Sequence, residues 1–322
     1  MAVQPSPIPD LATHVARLFF DRQMTKVEIA AHLGISRFRV ARLIDGALAD
    51  GLVRIEYRDL PSEDRALATR LEERHHLDLC AVVDVADGDP LAPVSRLAGA
   101  LLDSLIGPTE VIGIAWGSTL AAVVAEMPRR AAGAGEVVQL AGSSSRLARG
   151  RDPGDLARTL ADRLGATCRA IYAPAFVGSP AIRAELLRQP EVAGATDRFR
   201  AVTLAIVGIG ALPTNQAADR GGTSSLVRSR VLDDVEVARL VAAGAVGDLV
   251  VHPFDAGGRF VAPELAARAV AIGVDELRAI PRVVAIAAGT GKAAAIRGAL
   301  ATGVIDVLVV DAPTARTVMA LD

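Results

Sequence analysis

The sequence predicts a two-part α/β chain. A small N-terminal winged helix-turn-helix covers residues 1–58, and a larger doubly wound α/β domain covers 78–322, joined by a linker helix at 59–77. Three observations carry this. Residues 11–57 alternate helical periodicity with capping residues and turn glycines. From residue 78 onward, short runs rich in Val, Ile and Leu alternate with helix-like segments, the pattern of a mostly parallel sheet with helices on its faces. The composition, 51% hydrophobic with only 3% aromatic, builds a core from Ala, Val, Leu and Ile, as buried strands require.

In the first part, "LATHVARLFF" (11–20) has helical spacing. "TKVE" then sets Thr25 three positions before Glu28, a capping box, and that short helix breaks at Gly34. Ser36 caps a longer helix that Gly51 ends, and "LVRIEY" (52–57) reads as a short strand. Helix, short helix, turn, longer helix and strand make the order of a winged helix-turn-helix. Val40, Leu43, Ile44, Ala47 and Leu48 share the inward face of the last helix. Its other face offers Phe38, Arg39, Arg42 and Asp45, with Arg37 at the flank and no acid between Gly34 and Ile44. Arginine forks onto guanine in a major groove and a phenyl ring meets a thymine methyl, whereas Arg37 suits a phosphate contact; Lys26 and Ser36 complete the DNA-binding candidates. Eight basic and seven acidic residues in 1–60 make the local cluster, not bulk charge, the signal for DNA.

The segment 59–77 is highly charged, with Leu67 and Leu71 four apart; a linker helix, paired with another subunit or solvated, fits it. Strands are then expected at "LCAVVDV", "VIGIA", "EVVQL", "CRAIY", "VTLAIVG", "VVAIA" and "IDVLVVD", with helices at 91–106, 152–164 and 292–301 among those between. Ligands of such sheets bind at the C-terminal strand ends. "VIGIAWGSTLAAVV" (111–124) places Gly117, Ser118 and Thr119 between a buried strand and a helix, either as an anion seat or as ordinary capping. Gln139 is polar inside a buried run, and Asp248 and Asp255 stand near glycines. Each of the three either reads a ligand hydroxyl or serves the local backbone.

Nucleotide-binding loops are excluded by spacing. "GTGK" (289–292) has Ile286 where a Walker loop needs glycine and Ala293 where it needs a hydroxyl, and "GIGALP" (208–213) ends in Pro213 instead of glycine. The five histidines lack zinc spacing, and the one candidate acid/base pair is His252, read as a loop residue, with Asp255. Cys80 and Cys168 read as buried core thiols in a reduced cytoplasm. Neither metal nor cofactor is expected. A net charge of −2 excludes a basic coat, and no run reaches membrane-span length. Of 35 basic residues only Lys26 and Lys292 are lysine, which singles out Lys292 in the second part.

Taken in order, "EIAAHLGISRFRVARLIDGALADGLVRI", "GIAWGSTL", "VVQLAGS", "YAPAFV", "VGIGAL", "GAVGDLVVHPFDAGG" and "VVAIAAGTGKAAAIRGALATGVIDVLVVDAPTA" resemble the SorC/DeoR group of bacterial transcriptional regulators over almost the full length. The resemblance implies a sugar-phosphate-isomerase-like effector domain that binds rather than catalyses. It also implies operator DNA and a phosphorylated sugar as partners, and assembly as a homodimer or homotetramer in the cytoplasm. It carries a phosphate seat onto Gly117–Thr119, polar contacts onto Gln139, Asp248 and Asp255, and a late lysine onto Lys292. The chain departs at His252 and Pro253, and at Ala141 and Gly142, where no lysine is present to form a Schiff base.

Overall fold

The computed structural model describes residues 11–53, 61–85, 88–130, 135–144, 152–213 and 224–321. The chain divides into two compact units, Met1–Asp59 and Leu60–Asp322.

The first unit holds α1 (Leu11–Phe20), α2 (Lys26–Leu33) and α3 (Arg37–Ala49). Thr25 and Glu28 form the capping box that opens α2, and Gly34 ends it in the left-handed region at φ 65°. Ser36 caps α3 by accepting the Arg39 N–H at 3.2 Å. Val15, Leu18, Ile29, Val40 and Ile44 close a small core of their own. The strand expected at 52–57 falls mostly outside the described residues.

The second unit begins with α4 (Arg65–His75), β1 (Leu79–Val83), α5 (Leu91–Leu105), β2 (Val111–Ile114) and α6 (Ser118–Glu126). Next come β3 (Glu136–Gln139), α7 (Pro153–Leu164), β4 (Thr167–Arg169), α8 (Pro180–Leu187), α9 (Pro190–Thr196) and β5 (Leu204–Ala211). After α10 (Ser225–Arg228) and α11 (Asp234–Ala242), the chain forms β6 (Ala245–Leu249) and β7 (His252–Asp255). Then follow α12 (Pro263–Ala266), α13 (Val274–Arg278), β8 (Arg282–Ile286), α14 (Ala293–Ala301), β9 (Val307–Asp311) and α15 (Ala312–Ala320). A single 3-10 turn, Thr290–Lys292, precedes α14.

The parallel strands lie in the order β1-β9-β8-β5-β2-β3-β4. From β2 the chain winds one way through β3 and β4; from β5 it winds the other way through β8 and β9. The reversal between β2 and β5 is a topological switch point, where helices leave on opposite faces and a crevice opens at the strand ends. All seven expected strands are present. The two not foreseen are β6 and β7, an antiparallel pair that extends the sheet from the far end of β5. Glycine makes this possible. A Cβ on Gly210 of β5 would stand 2.1 Å from Asp248 Oδ1, and one on Gly247 of β6 would stand 2.5 Å from the Gly210 carbonyl oxygen.

Two expectations change here. The helix assigned to a linker is α4, which buries Leu67, Ala68 and Leu71 in the core of the larger unit against β1. Its charged residues cover the solvent side, so its charge obscured a buried stripe. Cys80 is buried as expected, and burial pushes its thiol up to about 12, but Cys168 is only half-buried.

Candidate functional site

In the first unit, the inward face of α3 is occupied by Val40, Ile44 and Ala47, which are fully buried, with Leu43 and Leu48 packed beside them. Helical geometry therefore turns Arg37, Phe38, Arg39 and Arg42 outward, and all four are exposed. Phe38 is 68% exposed, and the Arg37 guanidinium lies 4.9 Å from its ring centroid. A phenyl ring left in water among three arginines contributes nothing to the core, and the stacked guanidinium keeps it on the surface. Lys26 is exposed at the start of α2, its ammonium 5.9 Å from the Phe19 ring. The Ser36 hydroxyl is engaged as the cap of α3.

In the second unit, a cavity of about 300 Å³ opens at the switch point. Its walls come from four strand exits: Asp89–Leu91 after β1, Ala115–Thr119 after β2, Gly208–Gly210 of β5, and Ala288–Lys292 after β8, with Ser225, Arg228, Asp248 and Val250 completing it. Two glycines turn the chain into it. Gly117 has φ 126° and ψ 165°, and Gly289 has φ 98°, conformations that a Cβ disfavours.

Gly117, not Ser118 or Thr119, is the N-cap of α6, and no side chain caps this helix. Elsewhere Thr25, Ser36, Asp64, Asp152, Ser179, Asp233 and Asp311 each cap a helix with a side-chain oxygen. Such capping is common but not general here, since α5, α9, α12, α13 and α14 also lack it; the first residues of α6 line the cavity. Their amides and the helix dipole favour an anion. The turn that begins at Gly289 is likewise uncapped by a side chain.

The charges fit that reading. Arg228 and Lys292 supply cations, and Asp248 and Asp89 supply carboxylates. Burial pushes Asp248 up to about 6, against the Ser224 side chain and the Lys292 charge, which both pull it down. Burial pushes Lys292 down; Asp248 opposes this and Arg228 adds to it. One oxygen of Asp248, Oδ1, is buried without a hydrogen-bond partner. A buried acceptor without a donor is costly, so a donor brought into the cavity would relieve it.

The structure therefore gathers Gly117, Ser118, Thr119, Asp248 and Lys292 around one cavity and leaves Gln139 and Asp255 out of it. Gln139 is fully buried: its amide nitrogen donates to the Ala141 carbonyl at 2.6 Å and its oxygen accepts the Ile171 N–H at 2.9 Å. It ties the exit of β3 to the chain after β4. Asp255 ends β7 and closes the turn that follows it. It accepts from the Gly257 and Arg259 amides and the Arg259 guanidinium, all at 2.9 Å, and the Arg259 amide leads in holding its carboxyl below the usual range. His252 is not a loop residue but a strand residue 5% exposed, its Nε2 2.7 Å from the Ile272 carbonyl oxygen. Burial pushes its pKa down. With Asp255 committed to Arg259, His252 has no acid/base partner there. Trp116, Asp89 and Arg228 were not foreseen. Trp116 was visible as the chain's only tryptophan beside Gly117, and Asp89 as an acid at a strand exit. Arg228 sits on a four-residue helix too short to have periodicity.

Residues 60–320 match the family model of a sugar-binding domain. The chain belongs to the SorC/DeoR family of transcriptional regulators. The erythritol catabolism regulatory protein EryD of Brucella abortus is 32% identical over 313 residues, 96% of each chain. The sorbitol operon regulator of Klebsiella pneumoniae is 27% identical over 315 residues, covering 96% of this chain and 97% of that one. The full-length crystal structure of SorC from Klebsiella pneumoniae superimposes with a TM-score of 0.72 at 25% identity, over 97% of this chain and 98% of that one. The family assignment covers both units, since these relatives match from end to end. No helix among the described residues is long and apolar enough to cross a membrane.

Proposed function

We propose that this regulator binds operator DNA through α3 and that a small phosphorylated sugar or polyol, held in the switch-point cavity, sets its operator affinity. The uncapped start of α6 at Gly117, sharing one cavity with Lys292 and Arg228, carries the proposal. A phosphate suits amides and cations together, and Asp248 Oδ1 suits a hydroxyl of the same molecule. The cavity volume of about 300 Å³ lies at the small end of ligand sites, which matches a short sugar rather than a nucleotide. The erythritol and sorbitol in the names of two relatives put linear polyols and their phosphates first among candidates.

The ligand acts by binding one conformational state more tightly than the other, so its effect on operator affinity equals that differential affinity. This reading gives no catalytic role to His252 and Asp255, neither of which lines the cavity.

A thermal-shift panel of tetritols, pentitols and hexitols, each free and phosphorylated, tests it. Saturation at 100-fold above Kd stabilises a folded protein by about 2.7 kcal/mol. A phosphorylated member is expected to raise Tm by several degrees and its free polyol by less. If every phosphate leaves Tm unchanged, the phosphate reading fails.

A further inference from the structure

The cavity loop at Gly289 is held from behind by one carboxylate. Asp311, the last residue of β9, is 1% exposed, and its Oδ2 accepts the Gly289 N–H at 2.8 Å. Its Oδ1 accepts the Thr314 N–H at 2.9 Å and so caps α15, and the Thr314 hydroxyl donates to both oxygens at 2.8 Å. One buried group thus fixes the cavity-lining turn and the start of α15 together.

Two paths lead from Asp311 to the segment that follows the DNA-binding unit in sequence. Across the sheet, Asp311 pairs with Val83 at the end of β1, and Val83 pairs antiparallel with Glu63. The Asp64 N–H donates to the Val82 carbonyl at 2.9 Å and the Asp84 N–H to the Ser62 carbonyl at 2.8 Å. Ser62–Asp64 is thereby an added edge on β1, in the same row as Asp311. Along the helix, α15 packs on α4 and on the Thr290–Lys292 turn. Arg316 of α15 donates to Asp64 Oδ2 at 3.1 Å, while Asp64 Oδ1 caps α4 through the Leu67 N–H at 3.0 Å.

We propose that Asp311 is the positioning residue that joins the effector cavity to the Ser62–Asp64 segment, through Gly289 on one side and through α15 and the Arg316–Asp64 pair on the other. The proposal rests on the effector reading above. A ligand that draws the Gly289 amide toward itself takes it from Asp311, which shifts α15 and with it the anchor of α4. Coupling of this kind is measured as the factor by which one ligand changes the affinity of another.

The test uses the full chain, a duplex selected by it from a random pool, and erythritol 4-phosphate or whichever polyol phosphate the thermal-shift panel identifies. Trp116 fluorescence reads probe binding, and anisotropy of the labelled duplex reads DNA binding with and without probe. Arg316→Ala removes an exposed ion pair that contributes little to stability. It is expected to keep probe affinity within about twofold and to cut the probe-induced change in DNA affinity, typically about 5–150-fold in such systems, to under about a third of the wild-type factor. Asp64→Asn keeps a capping side chain and drops the charge. It should match Arg316→Ala, and the double variant should lose no more than either alone. Asp311→Asn should weaken both probe binding and coupling. Full coupling in Arg316→Ala overturns the proposal, and so does lost probe affinity in that variant. A wild-type chain whose DNA affinity no polyol phosphate changes overturns the functional reading, and the proposal falls with it.

Discussion

Asp248 is buried in β6, so its ionisation works against the ligand-free fold. Its carboxyl is raised to about 6 from an ordinary value near 4. Below pH 4 it is neutral in the folded and unfolded chain alike, and it costs nothing. Between about pH 4 and pH 6 the unfolded chain releases the proton while the folded chain keeps it, and stability falls. Above pH 6 the loss is complete, of order 3 kcal/mol. Asn at this position has the same shape and no charge. Asp248→Asn is therefore expected to leave Tm near the wild type at pH 4 and to raise it by roughly 5–10 °C at pH 8 in the absence of ligand. Equal Tm differences at the two pH values would show that the carboxyl ionises freely. The same residue shows what was legible. A carboxylate beside glycines at a strand end was visible in the sequence as a ligand candidate, and so was Asp255. Only the register of β6 against β7 separates them. Asp248 pairs with Pro253, next to the cavity, whereas Asp255 falls at the far end of the hairpin, where its own turn consumes it. Gln139 took the second of its two alternatives, the local backbone. Polarity marks a residue that needs partners, but not whether backbone groups already provide them.

At the scale of elements, the helix start after β2 is the feature on which the site depends. Gly117 occupies a region of backbone space that other residues enter at a cost of about 1–3 kcal/mol. An added Cβ would also meet Ser225 Oγ at 3.3 Å, and Ser225 lines the same cavity. Gly117→Ala is expected to lower stability by about 1–3 kcal/mol in denaturant titration and to weaken effector binding beyond that, because the amides of α6 turn away from the phosphate. Wild-type effector affinity in a destabilised Gly117→Ala chain would mean that α6 does not seat the phosphate. The "WGST" pattern marked a helix start after a buried strand, and left open whether its hydroxyl residues cap the helix; the structure gives the cap to Gly117. The hairpin of β6 and β7 was not announced. Its strands contain Gly247 and Pro253, which read as loop residues, and they became strands because Gly210 of β5 lets them come close. The charged helix α4 was misassigned because two leucines four apart fit a surface seam as well as a core stripe.

At the scale of the whole molecule, the proposed function makes α3 the recognition helix, and its outward face offers four candidate contacts: Arg37, Phe38, Arg39 and Arg42. One helix reads only a few base pairs, too few to single out an operator. In the proposed reading two chains share one operator, and the effector shifts how their heads match the spacing of the half-sites. This makes a geometric prediction. B-DNA repeats every 10–10.5 base pairs, so half-sites must keep a fixed angular phase. Inserting about five base pairs between the half-sites of the selected operator turns one head to the opposite face of the duplex. Binding of the full-length chain should then weaken toward that of a single half-site, while an insertion of about ten should restore much of it. Replacing Arg42 with Ala should cost about 1–3 kcal/mol per half-site, with the loss depending on the base it faces. Gel-shift titrations across the insertion series read the outcome directly. Smooth decay of affinity with insertion length, without the helical period, would mean that the heads bind independently, and a ligand acting through subunit arrangement would have nothing to control.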